Sequence, residues 1–347
     1  MKALFVGAEQ ASSMLGINEC IDAMDGCFRA MARGEAGFPP RFAMPLPSKK
    51  GALGLMPGYL AKEGVFGLKA TSVFPGNAGT KYESHQGAVL IFEAEHGSLL
   101  AAVDAATVTR LRTGAASAVA TMALARKGSS VLSILGSGTQ ALSHLDAMAE
   151  AMPGLSKVRV WSRSRSNAEA FAEGASRRGV DAEACEGAEG AVRGADVVCT
   201  VTASTSPVLL GRWLGPGAHV NAVGASRPPA RELDSDAVKM ARLFVDSRES
   251  ARLEADDYLV PLREGAIGEG HILGEIGEVL EGKVRGRAGD VDVTVFKSLG
   301  LAVEDLSAAL LVYRRALELG AGTTVEFGAE RGTGDNGPSA PPPAKDR

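Results

Sequence analysis

The stretch at residues 130–141, SVLSILGSGTQA, constrains the fold more than any other part of the chain. An apolar run that stops at a Gly-x-Gly turn and continues into a helical pattern predicts a strand, a tight turn and a helix. Glycines let a diphosphate approach the backbone, and the start of a helix favours its negative charge. The pattern predicts a dinucleotide site with Gly136, Gly138, Thr139 and Gln140 at the phosphates. A strand-turn-helix without a ligand fits the same residues.

Apolar strands and helical stretches alternate after this turn. The predicted strands lie at 157–161, 195–202, 219–223, 243–246 and 293–296, and the predicted helices at 140–151 and 167–178. This alternation is typical of a doubly wound parallel sheet covered on both faces. We therefore predict a Rossmann dinucleotide-binding domain over residues 114–299.

The two ends of the chain show a different pattern. Residues 17–33 have apolar side chains at steps of three and four and predict an amphipathic helix that covers a sheet. Residues 37–91 alternate between short apolar runs and Gly- or Pro-rich turns, which predicts a small antiparallel sheet. Residues 107–126 predict a helix of small residues that bridges two domains, and residues 301–319 a helix that returns to the first domain.

These patterns divide the chain into three parts. Residues 1–113 and 300–321 are predicted to form a discontinuous α+β domain around the Rossmann domain. Residues 322–347 have too little apolar surface to offset the entropy of ordering, so they predict a disordered tail.

Composition narrows the class of protein. With 347 residues, 45% of them hydrophobic and 22% charged, the chain is long enough for two domains, and its net charge of −4 gives no reason to expect a nucleic acid or a membrane as partner. The four cysteines have no CxxC spacing, which predicts buried thiols rather than disulfides or a metal site. Together with the short apolar N-terminus, this predicts a cytoplasmic protein with a small-molecule substrate and no bound metal.

The end of the second Rossmann strand predicts which cofactor binds. In such folds the residue about 20 positions after the glycines meets the adenosine ribose. Here Ser162, Arg163, Ser164 and Arg165 offer hydroxyls and guanidiniums, which suit a 2′-phosphate better than an acidic residue would. The segment predicts NADP(H) as the preferred cofactor, with NAD(H) also possible. The alternative reading is that both arginines are solvated surface residues.

The ends of two later strands lie where the nicotinamide half of such a cofactor runs. We therefore include Thr200, Thr202 and Val223 among the candidate cofactor-binding residues.

Several separate segments together resemble the ornithine cyclodeaminase/mu-crystallin family, and the resemblance extends over nearly everything from residue 20 to residue 319. The segments that carry it are Arg41 with Met44 and Pro45, Lys69 in GLKATSVFPGN, Ser84-His85-Gln86, Arg112 in LRTGAASAVA, residues 136–141, NAVGASRP at 221–228 and VFKSLG at 295–300. The resemblance implies a substrate-binding and dimerisation domain built from both chain ends, a Rossmann domain between them, and a homodimer.

The family's chemistry passes a hydride between a nicotinamide and the carbon that bears an amino or imino group beside a carboxylate. The resemblance implies that Arg41 and Lys69 hold that carboxylate. Arg41 offers a planar pair of donors, and Lys69 a compact charge that also suits donation to an imine nitrogen. It further implies a ligand contact for Glu254, although a solvated loop glutamate fits the sequence as well.

Four more residues match family positions that contact the cofactor. They are Ser84, His85, Arg112, with its guanidinium at the diphosphate, and Ser298 near the nicotinamide.

One position departs from part of the family. Ornithine cyclodeaminases and alanine dehydrogenases carry an aspartate after the Asn-Ala-Val-Gly strand, where this chain has Ser226. Serine does not ionise near neutral pH and cannot hold an ammonium group as a carboxylate does. The mu-crystallin branch, which reduces cyclic ketimines, matches this segment better. We therefore expect an NAD(P)H-dependent reductase of pyrroline- or piperideine-2-carboxylate. The alternatives are an ornithine cyclodeaminase or alanine-type dehydrogenase, and a protein that binds NADP(H) and a small ligand without turnover.

Overall fold

The computed structural model describes residues 2–77 and 80–328, which form two eight-stranded sheets with helices packed between and around them. The strands of the described residues are β1 Lys2–Val6, β2 Ala36–Gly37, β3 Phe42–Pro45, β4 Ala52–Leu60, β5 Val65–Val73, β6 His85–Glu93, β7 Leu99–Asp104, β8 Val131–Leu135, β9 Lys157–Trp161, β10 Ala182–Ala184, β11 Val197–Thr200, β12 His219–Ala222, β13 Arg242–Val245, β14 Ile272–Glu275, β15 Thr294–Lys297 and β16 Thr323–Glu326.

The helices connect these strands. They are α1 Ala8–Met14, α2 Ile17–Arg33, α3 Ala105–Leu124, α4 Thr139–Ala151, α5 Arg165–Arg177, α6 Ala188–Val192, α7 Ser235–Met240, α8 Arg248–Glu254, α9 Asp256–Arg263, α10 Ile276–Leu280 and α11 Ala302–Leu319, with short 3-10 helices at Pro75–Asn77, Gly211–Trp213 and Glu269–His271.

The second sheet confirms the predicted Rossmann architecture. Its strand order is β10-β9-β8-β11-β12-β15-β13-β14, and every neighbouring pair is parallel. The chain moves outward from β8 in both directions, so a topological switch point lies between β8 and β11, where ligands of such sheets bind. The sequence did not predict β10, β14 or the short helices α8, α9 and α10.

The first sheet is antiparallel from β2 to β7, as predicted, with β1 added parallel to β7. Helix α11 packs on its inner face, where Gly58 and Gly67 leave room: a Cβ on Gly58 would lie 3.2 Å from Ala302, and one on Gly67 would lie 3.0 Å from Leu306. The helix thus returns to the first domain, as its apolar pattern predicted.

The predicted disordered tail is wrong for its first residues. Thr323–Glu326 form β16, which pairs antiparallel with β1 at the edge of the first sheet. Backbone hydrogen bonds to an existing edge order this segment although its own side chains are exposed. The rest of the predicted tail, from residue 329 to the end, lies outside the described residues.

Helix α3 joins the two sheets. Asp104 caps its first turn by accepting from the backbone N–H of Thr107 at 2.7 Å. Its small residues let α4 approach closely, and its Thr121 hydroxyl accepts from Asn221 Nδ2 of β12 at 2.8 Å. The helix contacts strands of both sheets, and the predicted boundary at residues 113/114 falls inside it. The division of the chain into these domains otherwise stays a prediction.

Helix α2 has the predicted bounds but different neighbours. Its buried face packs mainly against α3, α10 and α11, and the Phe28 ring meets Phe296 edge-on at 6.4 Å. Most neighbours of α2 are therefore helices, and it meets the second sheet at Phe296 of β15 rather than covering a sheet as predicted.

All four cysteines are free, and three of them are buried, which agrees with the predicted thiols. Within the described residues, the longest apolar helical stretches fall short of a membrane span.

The α3–α4 contact gives a test of the fold. A Cβ on Gly114 would lie 2.6 Å from the carbonyl oxygen of Ser143, so we expect Gly114→Ala to lower the free energy of unfolding by about 1–2 kcal/mol despite alanine's better helix propensity. The matched control is Gly26→Ala in α2, where nothing lies within 4 Å and the same substitution should stabilise by about 0.5–1 kcal/mol. Urea denaturation of both variants measures the difference. Equal effects would contradict the close approach of these helices.

Candidate active site between the two sheets

Lys69 lies on the inner face of the first sheet. Because Met56, Lys69 and Val89 stand opposite one another on β4, β5 and β6, their side chains point to the side covered by α11. The Lys69 side chain is 8% exposed, and its Nζ lies 2.7 Å from Asp305 Oδ2 and donates to the Thr109 hydroxyl at 3.3 Å. A buried ammonium with a carboxylate partner is therefore built into the interface between this sheet and α11.

Arg112 of α3 shares the same carboxylate. Its Nε donates to Asp305 Oδ1 at 3.0 Å and its Nη1 to Glu304 Oε2 at 2.9 Å. Burial disfavours the charge, but the two carboxylates raise the pKa of Arg112 above its ordinary value. The structure thus places Arg112 beside Lys69, in a buried cluster of four charged groups. Binding of the diphosphate by Arg112 stays a prediction.

Arg41 lies near this cluster and connects the segment before β3 to the end of α8 and to residues that follow β15 in the second half of the chain. Its Nε donates to Glu254 Oε1 at 2.8 Å, and its Nη2 donates to the carbonyl oxygens of Leu299 and Gly300 at 3.0 and 3.1 Å. Burial raises the pKa of Glu254, and Arg41 opposes that shift. Glu254 therefore binds the Arg41 guanidinium, which the sequence analysis predicted to bind a substrate carboxylate.

Ser84 and His85 lie at the rim of this region. The Ser84 hydroxyl and His85 Nδ1 are hydrogen-bonded at 3.0 Å. Desolvation and the positive charges of Arg227 and Lys69 lower the pKa of His85 below its ordinary value, so the ring is neutral at neutral pH. Arg227 also lines an open cavity of about 560 Å³ with residues of the β5 end, whose Val73 pairs with His85. Ser226 directly precedes Arg227 in the loop after β12.

The glycine turn after β8 has the shape that a phosphate requires. Gly136 has φ +123°, and a Cβ there would lie 2.9 Å from the carbonyl oxygen of Val201, so only glycine fits. Gly138 is the exposed N-cap of α4, and nothing lies within 4 Å of where its Cβ would be. The backbone N–H groups at Thr139 and Gln140 thus begin a helix at the sheet's switch point, with the open approach that a diphosphate needs.

The predicted ribose end lies beside this turn. Ser162 accepts a hydrogen bond from the Ser137 hydroxyl at 2.9 Å, and Ser164 caps α5. Arg165 forms ion pairs with Glu169 and Glu186 at 2.8 and 3.0 Å. Arg163 is exposed, and the described residues provide it with no ion pair.

The predicted nicotinamide end contains a buried acid that the sequence analysis did not assign. Glu232 accepts from the hydroxyls of Thr200 and Thr202 at 2.8 and 2.7 Å and from the backbone N–H of Gly224 at 2.7 Å. It therefore ties together the carboxyl ends of β11 and β12. Burial and the nearby Asp257 raise the pKa of Glu232.

A second buried pair lies next to this acid. Lys297 Nζ lies 3.0 Å from Asp257 Oδ2 and donates to the carbonyl oxygen of Ala222 at 3.2 Å. At the same edge, the backbone N–H of Val223 donates to the Thr200 carbonyl at 3.0 Å. Ser298, the residue after Lys297, has a buried hydroxyl with no hydrogen-bond partner among the described residues. An unpaired buried hydroxyl at a cofactor-binding edge fits a polar group of a bound nicotinamide. The residues present thus fit a dinucleotide along the whole edge.

The structure therefore gathers the predicted residues into two groups. Lys69 and Arg112 meet Asp305 where α11 packs on the first sheet, Arg41 pairs with Glu254 beside Leu299 and Gly300, and His85 lies at the rim. The Gly136 turn and the later strand ends line the candidate dinucleotide edge. Among the described residues, no three His, Cys, Asp or Glu side chains are arranged to hold a metal ion.

The sequence analysis assigned no role to four buried acids: Glu232, Asp257, Glu304 and Asp305. Glu304 and Asp305 lie in the first turn of α11, where acidic residues are common, so their sequence positions do not mark them as buried. Glu232 lies in a loop, and its sequence position does not mark it as buried either.

Comparison with known proteins agrees with this geometry. The ornithine cyclodeaminase/mu-crystallin family model matches residues 1–320. The ketimine reductase mu-crystallin of Mus musculus is 46% identical over 275 residues, which cover 79% of this chain and 84% of the mouse protein.

Two solved structures share the whole architecture. Thermococcus litoralis Δ1-pyrroline-2-carboxylate reductase in complex with NADH and L-proline superposes with a TM-score of 0.89 at 35% identity, covering 93% of this chain and 100% of that chain. An archaeal alanine dehydrogenase dimer with bound NAD has the same TM-score and identity, over 94% of this chain and 100% of that one. The resemblance found in the sequence is confirmed, and the chain belongs to the ornithine cyclodeaminase/mu-crystallin family.

Proposed function

We propose that this protein is an NAD(P)H-dependent reductase of cyclic ketimines, with pyrroline-2-carboxylate or piperideine-2-carboxylate as the substrate class. The observation that carries the proposal is the position of Lys69 and Arg41, a buried ammonium and a half-buried guanidinium, at the junction with a dinucleotide edge. The mouse relative is a ketimine reductase and the Thermococcus relative acts on pyrroline-2-carboxylate, which supports this chemistry.

The site residues have distinct roles in this reaction. Arg41 binds the substrate carboxylate through its guanidinium, with Glu254 giving up part of its contact. Lys69 donates a proton to the ring nitrogen, and the bound nicotinamide supplies the hydride that the imine carbon accepts. The imine carbon of a protonated ketimine is already electrophilic, so orientation in a dry site supplies much of the acceleration.

Ser226 favours imine reduction over the alternatives. Release of ammonia from an open-chain diamino acid requires a group that binds or deprotonates the substrate amine, and serine does neither near neutral pH. The neighbouring Arg227 adds a positive charge to the same loop, which disfavours a substrate ammonium. Oxidation of an open-chain amino acid is the second candidate function, because one structural relative is an alanine dehydrogenase.

The first test is turnover. We expect the purified protein to oxidise NADPH or NADH in the presence of either cyclic imino acid, and Arg41→Ala to lower kcat/KM by about 10²–10³-fold because a desolvated carboxylate partner is lost. The control Arg315→Ala removes a guanidinium whose side chain is 52% exposed and whose one ion pair within residues 2–77 and 80–328 is with Glu318, and it should leave kcat/KM unchanged.

Other outcomes identify the alternatives. Conversion of ornithine with no net change in the cofactor would contradict the proposal in favour of a cyclodeaminase, and alanine oxidation without imine reduction would favour a dehydrogenase. Tight NADPH binding without turnover of any of these substrates would favour a binding protein.

We propose NADP(H) as the preferred cofactor, because Arg163 lies near Ser162 and has no ion pair in the part of the chain that the structure describes. We expect Arg163→Asp to raise the KM for NADPH by about 10- to 100-fold and to change the KM for NADH much less, since only NADPH carries the 2′-phosphate. Arg165→Asp is the matched control, because that arginine is already held by two glutamates. Steady-state kinetics with both cofactors measures the effect, and equal changes for NADPH and NADH would show that the phosphate binds elsewhere.

We further propose a homodimer that forms through the outer face of the first sheet. Three cross-strand rows on β4, β5 and β6 point away from α11 and are apolar: Tyr59, Phe66 and Phe92; Pro57, Leu68 and Leu90; and Leu55, Ala70 and Ala88. Phe66 is 41% exposed and stacks on Phe92 at 5.4 Å. A contiguous apolar face of this kind is typical of an oligomer interface, and the archaeal relative is a dimer.

The dimer is tested by placing a charge on this face. We expect Phe66→Asp to convert the dimer to a monomer in light scattering after size exclusion, because an unpaired carboxylate would be buried in the interface. Val291→Asp is the control: Val291 is 73% exposed and lies outside the first sheet, so that variant should stay dimeric. A Phe66→Asp protein that keeps the wild-type mass would rule out this face.

A further inference from the structure

The three N–H bonds of the Lys69 ammonium are not equivalent. One is donated to the Thr109 hydroxyl at 3.3 Å, and the ion-pair contact of Nζ with Asp305 Oδ2 at 2.7 Å takes up a second. The third has no partner among the described residues. The ammonium of a buried lysine is free to rotate, so two fixed acceptors determine where the third bond lies. The third N–H bond of Lys69 is therefore available to a ligand.

Asp305 is itself held from two sides. Its Oδ1 accepts from Arg112 Nε at 3.0 Å and from the Thr109 hydroxyl at 3.4 Å. The residue is fully buried in the first turns of α11, near the end of the helix where a negative charge is favoured. Thr109 accepts from Lys69 and donates to Asp305, so the three side chains form a closed triangle. A carboxylate fixed in this way keeps Lys69 Nζ in one position.

Without Asp305, the charged groups that face Lys69 would both be cations, Arg112 and Arg41. Arg112 approaches from α3, Arg41 from the segment before β3, and His85 from β6, where its ring is neutral. Burial lowers the pKa of the Lys69 ammonium, and the two guanidiniums act in the same direction, whereas Asp305 raises it. Asp305 is thus the anion that opposes both the dehydration and the repulsion.

We propose that Asp305 is a positioning residue for Lys69 in the imine reduction proposed above, on which this inference rests: it keeps the ammonium charged in a buried site and leaves one N–H bond for the ring nitrogen. In each turnover the imine carbon gains a hydride, the cofactor is oxidised, and the ring nitrogen takes a proton from Lys69. Neutral Lys69 regains a proton from water before the next cycle, and Asp305 stays ionised throughout.

The direct test measures Lys69 itself and needs no turnover. In protein labelled with [ε-¹³C]lysine, the Lys69 signal is the one lost in Lys69→Arg, and its chemical shift against pH reports the titration. We expect Asp305→Asn to lower the midpoint by about one pH unit or more, because an adjacent opposite charge is removed. Glu304→Gln is the matched control: it replaces the neighbouring buried acid, which pairs with Arg112 and not with Lys69, by an uncharged side chain of similar size, and it should leave the midpoint in place.

Kinetics supplies the second readout. Since Lys69 must be protonated to act, kcat/KM falls as pH rises through its pKa, and Asp305→Asn should move this basic limb to lower pH by the same amount as the NMR midpoint. Asp305→Glu keeps the charge but displaces the oxygens by one methylene, so we expect a wild-type limb with a reduced kcat. If Asp305→Asn does not fold, the Asp305→Glu result decides: an unchanged kcat would overturn positioning.

The two levels of inference fail separately. If Asp305→Asn leaves both the NMR midpoint and the basic limb of an active enzyme unchanged, or if Glu304→Gln moves them equally, the role of Asp305 is wrong and the reductase stands. If no cyclic imine is reduced but the midpoint shifts only in Asp305→Asn, the reductase is wrong and control of Lys69 by Asp305 stands.

Discussion

The buried cluster of Lys69, Arg112, Glu304 and Asp305 is the contact on which the rest of the site depends. It joins β5 of the first sheet, the bridging helix α3 and the returning helix α11 at one point. Such groups are costly to dehydrate, and well-packed apolar side chains often serve stability as well or better. Four buried ionisable groups are therefore a poor device for stability alone. In the proposed reaction, their role is to hold a cation beside the substrate carboxylate and the imine.

The second sheet carries the candidate dinucleotide site. Its carboxyl edge is held by Glu232, which binds the ends of β11 and β12, and by the Lys297–Asp257 pair under β15. These buried contacts fix loops that would otherwise move independently. Arg41, in the segment before β3, donates to the backbone after β15, so one side chain connects the two candidate sites.

Most of the architecture could be predicted because it is encoded locally. The bounds of α2 follow from the apolar spacing of its residues, and those of β9 from a short alternating run between two turns. The partners of Lys69 could not be predicted in this way. Arg112 and Asp305 are 193 residues apart in sequence. Only the fold shows that this acid of α11 also meets Lys69, the cation on β5. The strand β16 escaped prediction for the same reason, since its order comes from the edge of β1.

The departure at Ser226 makes sense beside this charge distribution. A cyclodeaminase must hold a substrate that carries an ammonium group, and an anion in the loop after β12 serves that purpose. Here the loop offers a hydroxyl and Arg227, and the acids near the cluster are already paired with Arg41, Lys69 and Arg112. A cyclic ketimine has a carboxylate and a ring nitrogen that must gain a proton. In the proposed reaction, Arg41 binds the carboxylate and the third N–H of Lys69 donates to the nitrogen. The residues that make the site unsuited to an amine are thus the same ones that suit it to an imine.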